Sequence, residues 1–103
     1  MNKETILQNL HCFNDTHRND GFVLVSLFGS YARGTEDIFS DIDITYKINH
    51  DIFFKDDAFA KLDRINDIKK ELEKKFHKKV DLIPANTKNK QIQKTLKQEQ
   101  IAI

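Results

Sequence analysis

The sequence has little of what usually specialises a chain. It holds one cysteine, Cys12, in 103 residues. Neither an internal disulfide nor a cysteine-based metal cluster can form. Its longest apolar run, Phe22 to Phe28, is interrupted by Ser26, and a membrane-spanning helix needs about 20 apolar residues. The opening Met-Asn-Lys-Glu-Thr starts no apolar leader. Charge of one sign is missing too: 17 Lys and Arg face 16 Asp and Glu, for a net +1. That balance argues against a globally basic nucleic-acid binder and against an acidic disordered tail. There is no internal repeat and no low-complexity segment. The expectation is one cytoplasmic domain over residues 1–103, with no membrane partner and no direct nucleic-acid binding.

What is present is enough for a modest core. Hydrophobic residues make up 39% of the chain, with eight Phe and two Tyr. Glycine and proline are scarce, at three and one, so their positions carry information. Residues 4–17 read as a helix, with Ile6, Leu7, Leu10 and Phe13 on one face. Asn14, Asp15, Asn19, Asp20 and Gly21 are turn formers that should end it. Phe22 to Phe28, bounded by glycines, suits a buried strand. Gly29 to Gly34 allows one helical turn. From Asp41 to Lys47 apolar and polar residues alternate, as on a strand with one buried face.

Residues 57–77 give the clearest helix, carrying Phe59, Leu62, Ile65, Ile68, Leu72 and Phe76, with Asp56 or Asp57 as its N-cap. Val80, Leu82 and Ile83 predict a third strand, stopped by Pro84. Thr87 caps a last helix with Ile92 and Leu96, and Ile101 and Ile103 form an apolar end. The order α-β-β-α-β-α predicts an α+β fold, a small mixed β-sheet flanked by helices. The short connection over residues 29–40 favours an antiparallel first pair, and the long helix permits a parallel crossover to the third strand.

Three features at strand ends carry chemistry. Asp41 and Asp43 lie two residues apart, so on a strand both carboxylates point the same way, opposite Ile42 and Ile44. Adjacent anionic groups raise each other's pKa unless a cation lies between them, and hard oxygen donors suit Mg²⁺ or Mn²⁺. Asp-x-Asp alone more often marks two exposed carboxylates. Asp81 shifts that balance, because it interrupts an apolar strand on the face opposite Val80 and Leu82. Three carboxylates on neighbouring strands match the donor set of a two-metal site for phosphoryl-type displacement. Gly29-Ser30 forms a tight turn where backbone amides and a hydroxyl can approach a phosphate, and Arg33, one turn on, can pair with a polyphosphate. Neither a Walker A sequence nor a G-x-G-x-x-G fingerprint is present.

Leu27-Phe-Gly-Ser-Tyr-Ala-Arg-Gly34, Ser40-Asp-Ile-Asp-Ile44 and Lys79-Val-Asp-Leu-Ile83 together resemble the minimal nucleotidyltransferases of the DNA polymerase beta-like superfamily. The resemblance extends over nearly the whole chain and implies a nucleotidyltransferase-like mixed sheet. It implies that Asp41, Asp43 and Asp81 are catalytic and hold two Mg²⁺ ions, the third aspartate placed to activate the acceptor hydroxyl. It assigns Gly29, Ser30, Arg33 and Ser40 to binding the nucleoside triphosphate. The implied reaction transfers AMP from ATP to a hydroxyl of a partner protein. The implied role is the antitoxin of a toxin–antitoxin pair, with a small helical HEPN-type partner encoded nearby. A non-catalytic binding module and an aminoglycoside-type small-molecule nucleotidyltransferase are the alternatives, the second disfavoured because no acceptor-binding domain is evident. Homo-oligomerisation is left open.

Other residues read more plainly. His11, His17, His50 and His77 lack ligand spacing and read as surface or helix-end residues. Cys12 reads as a plain thiol. Tyr31 fits either packing or stacking on a base, and Ile101 and Ile103 either dock on their own domain or face a partner. Residues 1–54 carry net −4 and residues 55–103 net +5.

Overall fold

The computed structural model describes residues 2–49 and 58–103, and the side chains of 2–49 and 62–103. Helix α1 spans Lys3–Thr16. Asn2 caps it, its side-chain oxygen accepting from the Thr5 amide at 2.9 Å, which satisfies one of the orphan donors of the first turn. Ile6, Leu10 and Phe13, at helical spacing, bury its inner face.

Strand β1 spans Phe22–Phe28 and β2 spans Ile42–Ile48. They pair antiparallel, as the short connection predicts, with a bulge between Leu24 and Ser26. A bulge inserts one unpaired residue and re-aims the side chains beyond it. Here it changes the parity of β1. Phe22 and Leu24 face the core before it and Leu27 faces the core after it, leaving Ser26 and Phe28 outside that core cluster. Asn14 of α1 supports this irregular stretch, donating to the Leu24 carbonyl at 2.8 Å and accepting from the Leu24 amide at 2.9 Å. The amide side chain thus takes the place of a neighbouring strand.

Helix α2 is the single turn Ser30–Arg33, and α3 spans Ala58–Phe76. Leu72 and Phe76 are buried at its end, while Ile65 and Ile68 are half-buried against the core. Leu62, expected on the same stripe, is 57% exposed. The expected cap at Asp56 or Asp57, the Phe59 side chain and His50 lie outside the described residues. His77 ends α3 with φ 53°. The chain then enters β3, Val80–Pro84, where the Val80 amide donates to Glu73 at 3.0 Å. β3 pairs parallel to β2.

Helix α4 spans Lys90–Glu99 and β4 spans Ile101–Ala102. Asn89, rather than Thr87, caps α4 by accepting from the Ile92 amide at 3.2 Å. The last residues form a fourth strand that period-based reading cannot detect. β4 pairs antiparallel with Ser26 and Leu27, and the Ile103 amide donates to the carbonyl of Val25 at the bulge, at 2.9 Å. Ile101 and Ile103 pack against their own core. The sheet order is β3-β2-β1-β4, a mixed sheet with α1 and α3 contributing to the core on one face. Among the described residues no helix is long and apolar enough to cross a membrane.

Candidate active site

Strand alternation puts Ile42, Ile44, Val80 and Leu82 toward the core, so Asp43 and Asp81 share the other face; β2 starts at Ile42 rather than Asp41, and Asp41 is the residue that leads into it. The parallel register sets Asp43 directly opposite Asp81 and Ile42 opposite Val80. The Ile42 amide donates to the Lys79 carbonyl at 3.0 Å, fixing that register at its start. Asp43 is half-buried, and its pKa rises from 3.8 to about 6. Burial is the largest cause, followed by the charge of Asp81, a hydrogen bond with Asp81 and the charge of Asp41; Arg33 opposes the rise. Asp81 and Asp41 thus add a charge cost to ionised Asp43, which a proton or a cation relieves.

Gly29 borders the same space. Its φ is +78°, a region L side chains seldom adopt. A Cβ there would overlap the Asp43 carboxylate oxygen and lie 3.2 Å from its Cγ. The missing side chain therefore gives Asp43 room. From Gly29 the chain turns into α2, where the Arg33 amide donates to the Gly29 carbonyl at 3.1 Å and the Thr35 amide to the Ser30 carbonyl at 3.0 Å. Tyr31 and Ala32 anchor this turn in the core. At 2% exposure, Tyr31 is a packing residue. Ser30 is half-buried at the first position of the turn.

The two remaining expected ligands of the nucleotide each make contacts within the protein. Arg33 Nη1 donates to both carboxylate oxygens of Glu99, each at 2.8 Å. Ser40 closes a turn: its hydroxyl accepts from the Asp37 amide at 2.9 Å, and the Phe39 amide donates to Asp37 Oδ1 at 2.8 Å. This ordered turn holds Ile38 and Phe39 outward at 80% and 85% exposure. Lys78 Nζ donates to the Ile38 carbonyl at 3.1 Å, tying the turn to the approach of β3. Sequence reading passes over Glu99. Its one signal is that it is the only acidic residue after Asp81. Glu36 is passed over too, although its Oε2 is buried without a hydrogen-bond partner, which is costly for a carboxylate.

Among the described residues no group of three or more His, Cys, Asp or Glu side chains is arranged to hold an ion as it stands. The donor chemistry nevertheless fits a hard divalent cation, because burial and then the neighbouring charges of Asp81 and Asp41 disfavour the ionised form of Asp43, a cost that a cation held by oxygen donors would offset. A cavity of about 390 Å³ lies at the other end of β2, lined by Tyr46, Lys47, Ile48, Pro84 and Asn86. Its described lining has no carboxylate. Among the described residues the histidines have contacts of their own or face solvent: His17 stacks on Phe13 and pairs with Asp20 at 2.7 Å, while His11 and His77 are exposed.

Comparison with known proteins bears on the family and the fold. The family described as polymerase beta, nucleotidyltransferase matches residues 14–103. A solved structure described provisionally as a minimal nucleotidyltransferase superposes with a TM-score of 0.69 at 22% identity, covering 100% of this chain and 97% of the other. A crystal structure of a toxin–antitoxin with AMP-PNP superposes with a TM-score of 0.63 at 22% identity, covering 91% of this chain and 71% of the other. At these identities the likeness is one of fold. No curated protein matches the sequence.

Proposed function

The chain belongs to the polymerase beta nucleotidyltransferase family, and we propose that it transfers AMP from ATP to a hydroxyl of a partner protein, as the antitoxin of a toxin–antitoxin pair. One observation carries the chemistry: Asp43 and Asp81 stand in register on adjacent strands, with Asp41 close enough for its charge to raise the pKa of Asp43.

In this reading Asp41, Asp43 and Asp81 would hold two Mg²⁺ ions, which would offset the carboxylate charge and supply charge stabilisation to the attacking and leaving oxygens. Gly29 and Ser30 receive the triphosphate, Gly29 by leaving the Asp43 carboxylate its space and Ser30 by its hydroxyl and amide. Arg33 contributes positive charge beside the phosphates. Ser40 acts on nucleotide placement through the turn that leads into Asp41. The acceptor oxygen forms a bond to the α-phosphorus as the bond to the bridging oxygen breaks, and pyrophosphate leaves with that electron pair. The hydroxyl proton passes to the Asp81 carboxylate. Catalysis rests on positioning and charge stabilisation.

The choice of a protein as acceptor is supported by Ile38 and Phe39. Two large apolar side chains held in water by an ordered turn mark a surface for a partner, and this turn leads directly into Asp41. The toxin–antitoxin neighbour supports the same reading; a small helical HEPN-type protein encoded nearby is the partner we would test first. Incubation of that protein with this chain, Mg²⁺ and ATP labelled in its α-phosphate should label it. Label that persists with Asp41→Asn or Asp43→Asn would overturn the assignment.

A further inference from the structure

We propose that Glu99 is a positioning residue for nucleotide binding, acting through Arg33; this rests on the reading of Arg33 as a phosphate ligand. The pair joins residues 66 apart in sequence, bridging α4 to the turn that follows β1. Its placement is unfavourable on local grounds. Glu99 is the last residue of α4, where the helix dipole disfavours a carboxylate. Its side chain is only 14% exposed, so it needs a cation to offset its desolvation. Arg33 supplies that cation while remaining 47% exposed itself.

The geometry leaves Arg33 usable. Both Glu99 oxygens accept from Nη1. A guanidinium carries five N–H donors, and those on Nη2 and Nε lie outside this contact. Glu99 therefore fixes one end of the guanidinium and leaves a fork for a phosphate. An unrestrained arginine would lose its rotamer freedom only when nucleotide binds, at a cost in affinity. A pre-set one has already lost it on folding. The same contact ties the end of α4 to the turn that carries Arg33. β4 is hydrogen-bonded to β1 beside the bulge, so the last segment holds β1 by backbone and Arg33 by Glu99.

The test is a double-mutant cycle on binding of α,β-methylene ATP with Mg²⁺, by calorimetry, in the full chain. Wild type should bind, and Arg33→Ala should bind about ten- to hundredfold more weakly, the range for hydrogen bonds to a charged group. Glu99→Ala should bind about three- to tenfold more weakly, the cost of ordering one long side chain. Adding Glu99→Ala to Arg33→Ala should change nothing further, which a general loosening of α4 would not reproduce. Glu99→Gln serves if Glu99→Ala fails to fold, and should fall between it and wild type. If Arg33→Ala weakens binding but Glu99→Ala does not, or if Glu99→Ala tightens it, the positioning role is overturned and the reading of Arg33 survives. If Arg33→Ala binds as wild type does, the reading of Arg33 itself is overturned.

Discussion

The carboxylate of Asp43 occupies the space that a side chain on Gly29 would need. Gly29→Ala should therefore act twice. Its φ of +78° makes alanine destabilising by more than about 1 kcal/mol, and the new methyl displaces Asp43. Urea unfolding should show that loss of stability, with loss of nucleotide transfer. In Gly29→Ala/Asp43→Ala the steric part is relieved, so the double variant should be more stable than the sum of the single effects. Strict additivity would contradict the overlap.

The raised pKa of Asp43 gives a pH dependence with a definite sign. The unfolded carboxyl titrates near 3.8 and the folded one near 6. Between those values the folded state holds more protons, so raising pH favours unfolding. In metal-free buffer this contribution is fully present below pH 3.8, is lost as pH rises through 6 and then levels off. Asp43→Asn should lack it, and the wild-type minus Asp43→Asn difference in melting temperature should fall across that window. At pH 7.5, Mg²⁺ should raise the melting temperature of wild type more than that of Asp43→Asn. Equal responses would count against a cation at this carboxylate.

Ile38 and Phe39 should matter to the partner and not to the nucleotide. Both are almost wholly exposed, so Ile38→Ser/Phe39→Ser should change stability by less than about 0.5 kcal/mol per site. Mg²⁺-dependent binding of α,β-methylene ATP should be unchanged. The KM for the protein acceptor should rise by about tenfold or more, as for truncated apolar anchors at an interface. An unchanged KM would place the acceptor surface elsewhere.

Asn14 should prove structural. Its side chain satisfies both backbone groups of Leu24, just before the bulge. Asn14→Ala leaves them without that partner and should cost about 1–3 kcal/mol, measured by denaturant unfolding. It should not alter the effect of Asp43→Asn on nucleotide binding.

The parts of this fold that depend on short-range period are readable in the sequence. Strand alternation alone predicts that Asp41 and Asp43 oppose Ile42 and Ile44, and that Asp81 opposes Val80 and Leu82. The short first connection predicts the antiparallel pairing of β1 with β2, and the crossover helix permits the parallel pairing of β2 with β3. The bulge at Val25 is hidden because Phe22 to Phe28 is apolar at nearly every position, so no alternation exists for the bulge to break. β4 is two residues long, too short for any period to appear. Asn14 reads as a turn former because its partners lie on β1, ten residues away. Glu99 is hidden for the same reason: an ion pair across 66 residues leaves no local trace, beyond a lone acid in a basic segment.

The proposed reaction is nucleotidyl rather than phosphoryl transfer, carried by Asp41 ahead of β2, Asp43 on β2 and Asp81 on β3. The most direct measurement compares ATP labelled at the α-phosphate with ATP labelled at the γ-phosphate, each incubated with Mg²⁺, this chain and the product of the adjacent reading frame. Label from the α-phosphate should enter the acceptor, with one pyrophosphate released per label, and Asp43→Asn should abolish it. Transfer of the γ-label, or α-transfer that survives Asp43→Asn, would contradict it.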